Sequence, residues 1–172
     1  MNNIDIKHSA VLEYLKNCPE IAKHPLFFNF AEEKDNNQLF TTYANRTETT
    51  QEYIDGSRDM IYTFTIIVYK SISYNQYIGK ITEGTTTTDY PDENLEEFID
   101  VQSIAEWIEQ QNDNKIFPDF GSDCVINSIE TLTNIPIQKS QYVEGDVQPA
   151  LAQYSLGVRI SYLDNSKILW NS

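Results

Sequence analysis

Residues able to do covalent chemistry are few in this chain and far apart. Two histidines and two cysteines are present, His8, His24, Cys18 and Cys124. A nucleophilic triad needs a histidine beside its serine or cysteine. His8 falls in a helical pattern and His24 directly precedes Pro25, so both are expected at the surface. Neither cysteine has a Cys or His at metal-ligand spacing, and two are too few for a disulfide framework; both read as small buried hydrophobes. Asp119-Phe120-Gly121 spells the magnesium motif of protein kinases, but without a glycine-rich loop or catalytic-loop motif it reads as a turn. The six glycines are dispersed and build no phosphate cradle. Asp89, Asp92, Glu93, Glu96 and Glu97 form a dense acidic cluster. Its spacing misses the calcium-loop pattern, and acids at a helix start are explained by the helix dipole. No catalytic residue, metal ligand or cofactor site is nominated, and the expected function is not enzymatic.

Interaction features remain. Tyr53-Ile54-Asp55-Gly56 has the composition of a hairpin turn, in which glycine supplies positive φ and aspartate bonds the local backbone. Arg58 follows the turn and has two candidate partners, Asp55 in its own turn or a carboxylate on a neighbouring subunit. Trp107 lies off the apolar stripe of its helix, as a core-edge residue or as a contact aromatic of the kind enriched at interfaces.

The elements that must position these residues follow from periodicity. Val11, Tyr14, Leu15 and Cys18 fall at i, i+3, i+4 and i+7, which predicts a helix over residues 2–17 ended by Pro19. Alternation then predicts strands at 26–30, 39–46, 49–54 and, longest, 60–72, with turns at 33–37 and 55–56. In the long strand Met60, Tyr62, Phe64, Ile66 and Val68 share one face and Ile61, Thr63, Thr65, Ile67 and Tyr69 the other, so it is expected to be central and mostly covered on both faces. The segment 77–89, with two glycines and four consecutive threonines, is expected as an exposed mobile loop. Asn94 and Glu97 resemble a capping box opening a second main helix, with Leu95, Phe98, Ile99, Val101, Ile104, Ala105 and Ile108 on its inner stripe. A strand at about 123–132, an extended stretch at 136–149 and a last strand around 152–162 complete the chain. The predicted fold class is α+β: a mainly antiparallel sheet packed with two main helices in one domain spanning residues 1–172.

Composition sets outer bounds. With 40% apolar residues, 11 Tyr and 8 Phe, the chain has material for a β-rich core and is not disordered. Its formal charge of −14 argues against wrapping duplex DNA or coating an anionic membrane, since both need clustered Lys and Arg. No apolar run reaches membrane-spanning length, and the start MNNIDIKHSA lacks the blocks of a signal peptide, so a cytosolic origin is expected. A secreted binding module would predict such a signal. An acidic hydrolase would predict a carboxylate pair in a pocket, and no spacing nominates one.

Three segments in order resemble one family. The Tyr53-Ile54-Asp55-Gly56 turn before the long strand, the stretch Ser103 to Asn112 containing Glu106-Trp107-Ile108-Glu109, and Ala152 to Leu163 are together similar to the phage minor capsid or tail terminator proteins of Gram-positive phages and prophages. The resemblance implies a virion protein of the tail or neck, assembled in the bacterial cytoplasm. It implies a homo-oligomeric, hexameric ring on the last ring of the tail-tube protein. There the ring ends tube polymerisation and presents a surface to the head connector or stopper protein, while phage DNA passes through the lumen without specific binding. A head-completion protein of the same neck is the alternative. On this reading Tyr53, Asp55, Gly56, Arg58 and Trp107 are turn or subunit-interface residues, and the turn at 33–37, the segment 77–89 and the stretch 136–149 supply pairing between subunits.

Overall fold

The N-terminal periodicity forms helix α1 (Asn3–Leu15), and Val11, Tyr14, Leu15 and Cys18 are all buried. In the computed structural model, which describes residues 3–42, 47–72, 79–90, 95–133, 137–141 and 150–168, Pro19 does more than end this run. It occupies the first turn of a one-turn helix, α2 (Pro19–Ala22), where its missing N–H costs nothing. Strands β1 (Leu26–Phe28), β2 (Gln38–Thr41), β3 (Thr47–Glu52) and β4 (Arg58–Ile72) follow. Next come β5 (Gly79–Glu83), β6 (Thr86–Tyr90), helix α3 (Leu95–Asp113), β7 (Cys124–Thr131), β8 (Ile137–Gln141) and β9 (Ala150–Asp164).

The fold is α+β. Strands β4 and β9 pair antiparallel through fifteen consecutive positions, from Arg58 opposite Asp164 to Ile72 opposite Ala150. The outer edge of β4 is shared by β3 along its first half and β2 along its second. The outer edge of β9 is shared in the same way by β7 and β8. Strand β1 lies at one margin, parallel to β2, the one parallel pairing among the described strands.

Period-2 geometry turns the even-numbered residues of β4 and β9 to one side. Met60, Tyr62, Phe64, Ile66 and Val68 meet Ala152, Tyr154, Leu156, Val158, Ile160 and Tyr162 there, under Val11 and Leu15 of α1 and Val101, Ile104 and Ile108 of α3. The long strand is central as expected, but of the odd-numbered face named above only Tyr69 is fully buried. Ile61, Thr63, Thr65 and Ile67 are only partly buried, because α1 and α3 both pack on the even side.

The segment expected as an irregular loop at 77–89 is instead a hairpin where it is described. Strands β5 and β6 pair from Gly79 opposite Tyr90 to Glu83 opposite Thr86, around a two-residue turn with Gly84 at φ 62°. Glycine at the first central position is what a tight hairpin turn of this length favours. Within the extended stretch expected at 136–149, residues 137–141 form β8, and 142–149 lie outside the described residues. Asn94, expected as the cap of the second helix, lies outside them too. That helix ends on Lys115 at φ 59°, with Ile116 N–H reaching Gln111 O at 2.9 Å and Lys115 N–H reaching Asn112 O at 3.2 Å. This doubled closure satisfies the last carbonyls and turns the chain sharply into 116–120.

One-sided burial has a direct consequence for stability. Ile160→Ala is expected to cost about 3 kcal/mol through lost burial and the cavity left behind. Ser161→Ala, one residue on and facing the other way, is expected to stay within about 0.5 kcal/mol of wild type. Urea unfolding of the two variants measures the difference.

Candidate functional site

The Tyr53–Gly56 sequence forms the turn between β3 and β4, and the turn satisfies its own polar groups. Tyr53 N–H donates to Ser57 O at 2.8 Å and Gly56 N–H to Tyr53 O at 3.0 Å, with Gly56 at φ 91°, a conformation that suits glycine. Asp55 Oδ1 accepts from Ser57 Oγ at 2.7 Å and from Ser57 N–H at 2.9 Å. These two bonds, the hydroxyl's first, hold the Asp55 carboxyl below its ordinary value. Tyr53 OH donates to Asp59 Oδ2 at 2.6 Å, which raises the phenol. Ile54 at the apex is 99% exposed.

Within the chain Arg58 does not pair with Asp55, one of its two expected partners. Asp55 is committed to Ser57, and the Arg58 guanidinium instead donates through Nη2 to Asp164 Oδ2 at 2.8 Å. The two residues are cross-strand neighbours at the end of the β4–β9 ladder. Asp164 is buried, and burial alone would raise its carboxyl. The bonds from Ser166 and the charges of Arg58 and Lys7 outweigh that and hold it below its ordinary value.

Around this pair lies a buried polar cluster that sequence reading missed. Lys7 of α1, only 6% exposed, donates through Nζ to Tyr162 OH at 2.6 Å and lies 4.3 Å from the centre of the same ring. Burial, followed by the nearby Cys124 and Asp164, pushes the Tyr162 phenol far up, so it stays protonated. Cys124, opposite Asp164 in the ladder, has its thiol raised chiefly by burial. The cluster ties the first helix, the start of β4 and the end of β9 together. A sequence signal for it exists: Lys7 stands four residues before Val11, on the apolar stripe of α1, and Asp164 continues the inward phase of β9. His8, expected at the surface, is half-buried with its ring 5.1 Å from Phe28 and 5.8 Å from Tyr62. A helix with apolar contacts on two sides holds it there.

Trp107 belongs to neither the turn nor the cluster. Its ring packs 5.0 Å from Tyr14, partly buried against the core, which is the core-edge alternative. Tyr14 in turn lines a groove of about 710 Å³ between α1 and the segment after α3, together with Ile6, Ala10, Ile116, Phe117 and Pro118. The turn at 33–37, expected to pair with other subunits, is engaged within the chain: Asn36 N–H donates to Tyr69 O at 2.8 Å and Ser71 N–H to Asp35 Oδ1 at 2.7 Å.

No protein-family model matches the chain, and no curated protein matches its sequence. Among the described residues no group of three or more His, Cys, Asp or Glu is gathered as for a metal, and no helix is long and apolar enough to cross a membrane.

Two expectations follow from this geometry. Gly56→Val is expected to lower stability by roughly 1–3 kcal/mol, since a β-branched side chain resists positive φ, and a thermal melt reads it. Asp164→Asn is expected to cost roughly 3 kcal/mol at neutral pH by leaving Arg58 without its counter-charge. The Asp164 carboxyl titrates lower in the fold than in the unfolded chain, so its contribution is present above about pH 4. It is lost as pH falls through the lower folded value. The stability gap between wild type and Asp164→Asn is therefore expected to close in acid, as urea unfolding across a pH series would register.

Proposed function

We propose that the protein is a structural virion subunit of a long-tailed phage, prophage or related tail-like particle, the tail terminator or neck protein that closes the tail tube as a ring and joins it to the head connector. The observation that carries this reading is the set of three motif-bearing segments in register. The Tyr-Ile-Asp-Gly turn stands before the long central strand, Glu106-Trp107-Ile108-Glu109 lies in the helix on the sheet, and Ala152 to Leu163 runs along the last strand. The α+β layering agrees with the fold that the resemblance implies.

The geometry refines how such a subunit would meet its neighbours. Contacts in a cyclic ring are heterologous, so each subunit needs two different complementary patches. Arg58 is engaged in its own chain, so the turn would offer a neighbour the exposed apex Ile54 and the half-exposed Tyr53 ring in place of a charge. A formal charge of −14 per subunit would keep a ring lumen from gripping the genome, because no counterions are released on contact.

Mixing the purified protein with its cognate tail-tube subunit tests the role. Short tubes capped at one end, with growth halted there, are the expected outcome by electron microscopy. Ile54→Asp is expected to weaken capping at an unchanged melting temperature, whereas Arg58→Glu is expected to lower the melting temperature by facing two carboxylates at one ladder position. Tubes that keep growing at both ends in excess protein would rule out the terminator role in favour of head completion.

A further inference from the structure

The margins of the sheet are treated unequally. On β7 the outward Ile129 N–H donates to Asn112 Oδ1 of α3 at 3.0 Å, and Thr131 Oγ1 lies 3.4 Å from Glu109 Oε1, so the helix closes that edge. Strand β3 carries Glu48, Thr49, Thr50, Gln51 and Glu52, and its exposed charges discourage pairing. At β1 neither device is present. Gln38 N–H reaches Pro25 O at 3.1 Å and Asn29 N–H reaches Phe40 O at 2.9 Å, so positions 25, 27 and 29 turn their backbone polar groups towards β2. Alternation then directs the N–H and C=O of Leu26 and Phe28 outward, where no described residue meets them.

This open edge is flanked by aromatic rings. Phe27 and Phe28 are 40% and 41% exposed, on opposite faces of the strand, and Phe30 is 80% exposed. The Phe28 ring stacks on Phe40 at 5.4 Å, which carries the buried aromatic layer out to the margin. Asn29 stops β1 actively: at φ 59° it bends the chain, and its Oδ1 accepts from Thr41 Oγ1 and Thr42 N–H at 3.2 Å each. The next four side chains after Ala31 are Glu32, Glu33, Lys34 and Asp35, all exposed and net acidic.

We propose that the β1 edge is a docking site for an extended segment of another polypeptide. That segment adds as a strand beside Leu26–Phe28, has apolar side chains to cover Phe27 and Phe28, and carries Lys or Arg where it passes the acidic stretch at 32–35. Backbone bonds supply the attachment, the phenylalanines supply the burial, and the acidic flank selects the sign of the partner's charge. A second copy of this chain fits poorly, since it would bring the same acidic stretch at 32–35 and no cluster of Lys or Arg beside its β1. The site is independent of tube capping, which the Ile54 apex serves.

The probe is a short synthetic peptide of alternating sequence, Lys-Lys-Ile-Thr-Phe-Thr-Ile-Lys-Lys, titrated into the full chain while amide hydrogen exchange is followed by NMR. Saturable binding with at least about tenfold slower exchange at Leu26 and Phe28 is expected. The same peptide with Glu in place of Lys is expected to bind about tenfold more weakly. Glu32→Lys, at an exposed side chain of the acidic stretch, is expected to weaken the Lys peptide by a similar factor with the melting temperature unchanged. The proposal is overturned if millimolar Lys peptide leaves the two amides unprotected, or if both peptides bind equally. It is overturned too if protection appears without peptide and follows protein concentration, which would make the occupant a second copy.

Discussion

Everything in this fold hangs on the register between β4 and β9. Fifteen uninterrupted antiparallel pairs fix which residues face the helices, because side chains alternate with a period of two. The same phase carries charged residues at the strand ends: Arg58 and Lys70 on β4 and Asp164 on β9. Each is matched. Arg58 meets Asp164, while Lys70, buried at 6% exposure, donates to Asp100 Oδ2 of α3 at 2.9 Å and to Asn36 Oδ1 at 3.2 Å. The apolar interior is thus bounded at its ends by ions that other elements neutralise, and α1 adds Lys7 at the Asp164 end.

This arrangement leaves distinct surfaces with distinct chemistry. The turn between β3 and β4 consumes its own polar groups, so its outward character is the apolar Ile54. The margin at β1 keeps its backbone groups and its phenylalanines exposed beside acids. The groove at α1 is lined mainly by apolar side chains and backed by Tyr14 and Trp107. Each of these surfaces has features that contact with another chain can use.

Much of the fold was legible in the sequence. The apolar spacing of α1, the alternation from Met60 to Tyr69 and that from Ala152 to Tyr162 are local patterns, and local patterns specify elements. Less legible were features set by distant partners. Thr85 to Thr88 suggested a loop, yet Gly84 turned that stretch into a hairpin. Ile61 and Ile67 suggested a covered second face, but strand alternation cannot say on which side helices will lie. Of the candidate site residues, Gly56 could be read from its turn chemistry. Arg58 could not be assigned a partner, because Asp164 lies 106 residues away and only the ladder brings it near.

That distant pair explains why the register holds. Slipping β9 by one residue would turn its apolar set to the open face, which the hydrophobic effect forbids. Slipping it by two would not, since every even residue would still face the helices. Apolar alternation is blind to that error. With a two-residue slip Arg58 would lie opposite Tyr162 or beyond the strand's end, and Asp164 would lose its bond from the Arg58 guanidinium. An uncompensated buried charge costs several kcal/mol, more than small differences in apolar packing between two in-phase registers would recover. Buried ion pairs add little net stability over well-packed apolar residues. Here the cost of misplacing them selects one alignment among those that the core alone would accept.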